Sequence, residues 1–371
     1  MSWDVLIGQN RVKELIKKQL ENKRIPHALL FYGPEGTGMD VAAIHLAKIL
    51  NCRNSNYDSC DVCEDCKKLN SLQHPNIQLI FPLPVGKNEQ SDDSPYDKLS
   101  DSEIKNVMSE IEKKSRNPYH KINIDRANFI KITSIREIRK KTSLSMFSEG
   151  KKVVIIFDAD KMTEQAANAL LKTLEEPVGD TIIILTTSNK DALLPTIISR
   201  CQSIRFDELT SDEISEALQK NENVDLQQSK IIARLANGSY SKALELINSD
   251  LNEKRDEVIN FIALILTNNS LKIAQEIERI SKDYDKDTIE QMLLLMKMWF
   301  RDALILKEGA QEIINLDQVN RIEKFINLYK NISFNEIFEL LDASLSLLRK
   351  NVYIHLIIFS LVINLKRKIL P

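Results

Sequence analysis

The chain has 371 residues, 43% of them hydrophobic and 28% charged, with a formal net charge of −2. That length supports two or three domains with real cores, and the near balance of charge excludes a protein drawn onto nucleic acid or anionic lipid by its overall field. The start, MSWDVLIGQN, has no basic stretch followed by an apolar core, and the longest strongly apolar run, 353–365, contains His355 and Asn364 and is too short for a bilayer. A cytoplasmic protein with no membrane partner is expected.

The first periodic stretch, QNRVKELIKKQL at 9–20, puts Val12, Leu15, Ile16 and Leu20 on one helical face. HALLFYG at 27–33 is a short apolar run ending in glycine and predicts a buried strand; DVAAIHLAKIL at 40–50 predicts a helix. Between them GPEGTGMD, residues 33–40, has the G-x-x-x-x-G frame of a phosphate-binding loop, in the strand-to-helix context such a loop requires. Its backbone N–H groups, with the following helix N-terminus, cradle phosphates. Gly33, Gly36 and Gly38 keep that geometry possible.

The next two positions normally hold Lys, which neutralises the β- and γ-phosphates, and Ser or Thr, which ligates Mg²⁺. Here they are Met39 and Asp40. At ~5 Å and an effective dielectric of ~20, a unit charge pair is worth about 3 kcal/mol. Losing that attraction and adding a repulsion of like size predicts that ATP does not bind tightly, unless Asp40 turns away as a helix N-cap. A strand–turn–helix with no ligand history accounts for the same residues.

NCRNSNYDSCDVCEDC follows, with Cys52, Cys60, Cys63 and Cys66. Four clustered thiols in a cytoplasmic chain suit tetrahedral Zn²⁺ better than disulfides. A closed set of four ligands leaves no open position, so the metal would be structural. Free thiols and an iron–sulfur cluster are the alternatives, and Cys201 lies far off in sequence.

Residues 84–122 break the pattern. PVGKNEQSDDSPYDK reads as a polar surface loop, and DSEIKNVMSEIEKK carries Ile104, Val107, Met108 and Ile111 at helical spacing. This region is expected to be an insertion. KKVVIIFDAD then predicts a buried strand over 153–157. An active nucleotide site of this class ends that strand with an Asp for Mg²⁺ and a Glu that activates water; here Phe157 and Asp158 fill those places. TEQAANALLKTLEEP predicts a helix stopped by Pro177, and TIIILTTS a third strand. Arg200, in LLPTIISRCQSIRF, precedes another apolar run and reads either as a surface ion-pair partner or as an arginine finger. From about 207 onward the pattern is helical. Strands alternating with helices imply a parallel sheet covered by helices. The expected domains are an α/β domain at 1–206, with the cysteine module at 52–66 and the insertion at 84–122, then helical domains at 207–250 and 251–371.

Together IGQ, RIPHALLFYGPEGTG, the four-Cys module, HPNIQLI, NALLKTLEEP and SRC resemble, in order and spacing, the bacterial clamp-loader AAA+ subunits over most of 5–245. WFRDALIL at 299–306 is the best-matching piece of that family's collar. The resemblance implies an AAA+ domain, a small helical lid and an all-α collar. Catalytic members keep the loop Lys and the Asp–Glu pair; ATP-silent members act as a stator. The family's sensor motif, of the form G-S-x-R-x-A-L, reads GSYSKAL here, with Ser241 in place of the Arg, and Ser188 and Asn189 fall near the polar sensor after the third strand. Arg200, in the SRC motif, is then the finger offered to a neighbouring subunit's ATP. The implied work is a hetero-pentameric loader that places a ring-shaped sliding clamp on primed DNA. The apolar segment 353–365 is expected at or beside a subunit interface. The insertion has no counterpart in the family pattern. Two further readings stay open: an ATPase-competent loader subunit with an unusual phosphate loop, and a zinc-dependent DNA-binding adaptor, which predicts salt-dependent duplex binding by the monomer.

Overall fold

The structure, a computed structural model, describes residues 3–54, 57–86, 93–143, 150–177, 179–247, 250–309, 313–330, 332–350 and 352–370. The chain divides into two compact units, Met1–Ala217 with Ala236–Lys242, and Leu218–Leu235 with Ala243–Pro371.

The apolar runs become strands because β-branched residues pack well on a pleated surface buried on both faces. The first unit holds β1 (Ala28–Tyr32), β2 (Ile77–Ile80), β3 (Lys152–Ile156), β4 (Thr181–Thr187) and β5 (Gln202–Arg205). All pair in parallel, in the order β2-β3-β4-β1-β5. Every residue of β4 is buried. Leu30, Val154, Ile156, Ile183 and Leu185 share one core cluster with Leu170 and Leu174 of a covering helix. The edge strand β2 was not expected from periodicity: at four residues it is too short to declare itself, and it pairs with β3 alone.

The helices of this unit are α1 (Asn10–Glu21), α2 (Met39–Asn51), α3 (Glu64–Asn70), α4 (Asp101–Arg116), α5 (Ile132–Ser143), α6 (Glu164–Glu175) and α7 (Pro195–Ile198). The helix α2 is buried almost all round, including His45, Lys48 and Asn51. Within the expected insertion, residues 87–92 of the polar loop lie outside the described residues. Lys131 donates to the carbonyls of Pro84 (3.0 Å) and Pro95 (3.1 Å), which ties the two sides of that loop together. The expected insertion helix is α4, closed at its start by a capping box between Ser100 and Glu103. Its buried positions are Val107, Glu110 and Lys114, while Met108 is exposed. The buried face is therefore partly charged.

Helices α8 (Ser211–Glu222), α9 (Leu226–Leu235) and α10 (Tyr240–Ile247) follow β5. The division between the units falls within α8 and α10, α9 belongs to the second unit, and that unit continues with α11 (Leu251–Ile265), α12 (Ser270–Asp283), α13 (Lys286–Lys307), α14 (Val319–Leu328), α15 (Phe334–Arg349) and α16 (Ile354–Ile369). Helix α16 buries Ile358, Leu361 and Leu365 but exposes Tyr353, Leu356, Phe359 and Ile363. No helix among the described residues is long and apolar enough to cross a membrane.

A buried carboxylate organises the turn after α13. Asp302 is fully buried and accepts from the amides of Ile314 (3.1 Å) and Asn315 (2.7 Å) and from Asn315 Nδ2 (2.7 Å). Asp302→Ala would strand those donors in the interior. With each unmet donor costing ~1–3 kcal/mol, a loss of about 3 kcal/mol or more is expected. Urea unfolding followed by the fluorescence of the buried Trp299, on the same helix, measures it; Asp302→Asn should lose less.

Candidate functional site

The chain leaves β1 toward one edge of the sheet and β4 toward the other, so the C-terminal ends of these neighbouring strands mark the topological switch point. Open α/β sheets bind ligands there. Residues 33–38 follow β1 and residues 188–189 follow β4.

The glycines serve a crowded turn. Gly36 has φ 76° and Gly38 φ 101°, values in the left-handed region that favour glycine. A Cβ on Gly36 would lie 2.0 Å from Ser239 Oγ, one on Gly38 2.4 Å from Leu6 Cδ1, and one on Gly33 2.3 Å from the Phe206 carbonyl oxygen. Gly38 is the N-cap of α2, so Asp40 does not turn away as a cap.

The Asp40 carboxylate meets a different partner. Its Oδ2 lies 2.6 Å from Lys114 Nζ, and its Oδ1 accepts from Thr186 Oγ1 at 2.7 Å. Lys114 comes from α4, and its side chain is only 2% exposed. The same ammonium donates to the His120 carbonyl at 2.7 Å and stands 5.0 Å from the centroid of the Phe157 ring, within cation–π range. The two residues that replace metal-binding types, Asp40 and Phe157, thus share one ammonium.

The residues after α4 continue across the loop. Tyr119 Oη accepts from the Ile7 amide at 2.9 Å, and burial pushes its phenol above the usual tyrosine range, so it stays neutral. Its ring stands edge-on to Tyr240 at 4.9 Å, and its carbonyl accepts from Ser241 Oγ at 2.7 Å. The Tyr240 amide donates to the Gly36 carbonyl at 3.0 Å. Lys121 pairs with Glu35 at 2.5 Å. Met39, Asp40, Lys114, Tyr119, Asp158, Ser188 and Ser241 are among the residues around the remaining space, a cavity of about 50 Å³. That holds a few waters and is far below the ~300 Å³ of the smallest usual ligand pockets. The Asp158 carboxylate pairs with Lys161 at 2.8 Å, and the Asn189 amide donates to Thr187 Oγ1 at 3.0 Å.

The four cysteines do come together. Cys52 ends α2, Cys63 caps α3, and the four Sγ atoms lie within 4.8 Å of one another. Cys60 Sγ and Cys66 Sγ are 4.0 Å apart. A tetrahedral Zn²⁺ with ~2.3 Å bonds to sulfur has S–S edges of ~3.8 Å, so the cluster fits such an ion after a small contraction. The amides of Cys60 and Cys66 donate to Cys52 Sγ (3.3 Å) and Cys63 Sγ (3.4 Å). The buried Lys48 ammonium of α2 pairs with Asp61 of the module and donates to Asn70 Oδ1 at 2.5 Å. Cys201 belongs to the sheet core instead, where burial pushes its thiol up to about 12.

Arg200 does not line the cavity at the loop. Its Nη2 pairs with Glu175 Oε1 at 2.6 Å and its Nη1 donates to the Thr196 carbonyl at 3.0 Å, with the side chain 36% exposed.

The family profile described as "DNA polymerase III, delta subunit" matches residues 8–210. The chain belongs to this family. The match spans the loop, the cysteine module, the region 84–122 and Arg200. DNA polymerase III subunit delta′ of Bacillus subtilis (strain 168) is 29% identical over 306 residues, covering 82% of this chain and 79% of that one. The tau subunit of the same organism is 28% identical over 372 residues, covering 92% of this chain and 56% of that one, so the chain spans about half the length of that relative. Subunit delta′ of Escherichia coli (strain K12) is 25% identical over 307 residues, covering 81% and 76%.

Periodicity alone did not single out Lys114, Tyr119 or Thr186. One signal was present: Lys114 falls two helical turns after the buried Val107, at a position that an apolar residue would occupy on an ordinary amphipathic helix. For the loop, Gly36→Ala puts a methyl in the left-handed region and against Ser239. The conformational cost alone is ~1–2 kcal/mol, and the contact adds to it. A fall in unfolding free energy of that size or more is expected from urea unfolding, read by the fluorescence of Trp3, which packs on His45 of α2 at 4.7 Å.

Proposed function

We propose that this protein is an ATP-silent stator subunit of a bacterial clamp loader, with no ATPase activity of its own. It would work in the cytoplasm with the other loader subunits of a hetero-pentamer to place the sliding clamp on primed DNA. In this reading the AAA+ domain occupies 1–206, a helical lid 207–250 and an all-α collar 251–371. One observation carries it: the loop keeps its place at the switch point and its glycine geometry, while the positions for the phosphate cation, the metal hydroxyl and the metal carboxylate hold Met39, Asp40 and Phe157. Membership of the DNA polymerase III delta family supports the setting.

The four thiolates of Cys52, Cys60, Cys63 and Cys66 would hold a structural Zn²⁺, and their spacing supports that donor set. Arg200 would serve a neighbour's ATP, since an arginine directed at its own loop has no phosphate to stabilise. Its pairing with Glu175 is compatible with that role, because exposed ion pairs contribute only ~0.2–1 kcal/mol and are readily exchanged. The apolar stripe Tyr353, Leu356, Phe359 and Ile363 on α16 supports contact with other subunits.

The second reading, an ATPase-competent loader subunit, draws on the similarity to a tau subunit over 92% of this chain. Calorimetric titration separates the two: no binding of Mg²⁺-ATP to the isolated chain is expected at micromolar concentration, and micromolar affinity would defeat the silent reading. In a loader reconstituted with its partners, Arg200→Ala should leave assembly intact and slow turnover at the adjacent site by ~10³ or more, with clamp loading falling sharply. Unchanged ATPase and loading would return Arg200 to an ordinary ion pair. Elemental analysis of protein purified without chelator should give one zinc per chain; iron, or no metal, would refute the zinc assignment.

A further inference from the structure

Three features stand out near the loop: an acidic residue at the metal-hydroxyl position, an aromatic residue at the metal-carboxylate position, and the helix α4 of the region 84–122. Their geometry joins them. Lys114 Nζ lies 2.6 Å from Asp40 and 5.0 Å from the Phe157 ring centroid, and it is carried there by the helix of the extra region.

We propose that residues 114–121 are a permanent ligand of the loop, supplied by the chain itself, with the Lys114 ammonium in place of the cation that the loop sequence lacks. This deepens the ATP-silent reading and rests on it. An ammonium taken out of water is costly to bury and is tolerated when it has a counter-charge and its remaining hydrogen bonds. Lys114 has both, in Asp40 and the His120 carbonyl. Asp40 also holds Thr186 of β4, so the pair ties α4 to the start of α2 and to the central strand. Downstream, Lys121 pairs with Glu35 in the loop, and the Tyr119 carbonyl takes the Ser241 hydroxyl while the Tyr240 amide bonds Gly36. The segment therefore bridges the loop and the start of α10 through its own polar groups. Asp40 in this protein is a partner for Lys114, and Phe157 offers the same ammonium a π-face where a second carboxylate would compete for it.

The test compares four full-length proteins: wild type, Asp40→Asn, Lys114→Met and the double variant. Amide hydrogen exchange is followed in peptides covering 33–43 and 114–124, with α13 of the second unit as the control. Asp40→Asn leaves an ammonium that is 2% exposed without its carboxylate, so exchange in both peptides should rise about tenfold or more, the scale of a coupled buried pair. Lys114→Met leaves Asp40, which is 30% exposed and can hydrate, so its effect should be smaller. The double variant should be better protected than Asp40→Asn alone, with α13 unchanged throughout. If Asp40→Asn does not fold, faster exchange of 33–43 in Lys114→Met with α13 unchanged still carries the prediction. Equal exchange of 33–43 in wild type and Lys114→Met, or effects in the double variant that merely add, would overturn the proposal. Titration of the wild type with Mg²⁺-ATP is read separately: binding with the exchange coupling intact would overturn the silent reading and not the coupling between Asp40 and Lys114.

Discussion

An ammonium can be carried into a protein interior only together with something that replaces its water. In this chain that requirement fixes how the helix at 101–116 docks. Lys114 reaches a carboxylate, a main-chain carbonyl and an aromatic face at once, and each comes from a different segment. The carboxylate stands at the beginning of α2, the carbonyl just beyond α4, and the ring at the end of β3. Satisfying one side chain thus fixes three pieces of backbone. Register errors of one residue in α4 would turn Lys114 by about 100° about the helix axis and leave the charge with none of them.

The same economy of charge holds elsewhere in the molecule. In the second unit Asp302 is the buried ion, and it collects main-chain amides and an asparagine instead of a metal or a ligand. In the cysteine module the amides of Cys60 and Cys66 donate to sulfur atoms of Cys52 and Cys63, so the backbone itself supplies polar partners to two of the four sulfurs. In each of these three places the buried polar group meets several partners at once. That is the arrangement expected where conformational specificity matters more than net stability gained per pair.

Much of the fold was legible because its signals are local. The runs at 153–157 and 181–187 are rich in β-branched residues and the run at 28–32 is apolar and aromatic, and they became β3, β4 and β1; the helix at 164–175 stopped near Pro177 as the proline requires. The four cysteines were legible because ligand spacing is itself a sequence property. Two things were not. The strand Ile77–Ile80 is too short to carry a period and depends on pairing with β3. The charged face of α4 was hidden because periodicity counts apolar residues, and Glu110 and Lys114 score as solvent-facing until their partners, about 10 and 74 residues away along the chain, are known. Substitution at the loop was plain in the residues Met39 and Asp40; what compensates Asp40 could only come from the tertiary fold.

The outer face of α16 sets a limit of another kind. Tyr353, Leu356, Phe359 and Ile363 recur at helical spacing on a surface that water wets, while Ile358, Leu361 and Leu365 on the opposite side fill the core. A helix greasy on both sides gains little from staying in dilute solution. Such a stripe favours self-association as the concentration rises, so the chain alone would lose solubility at concentrations that a wholly polar surface tolerates. Recombinant yield would follow the same rule, rising when residues of the stripe are made polar.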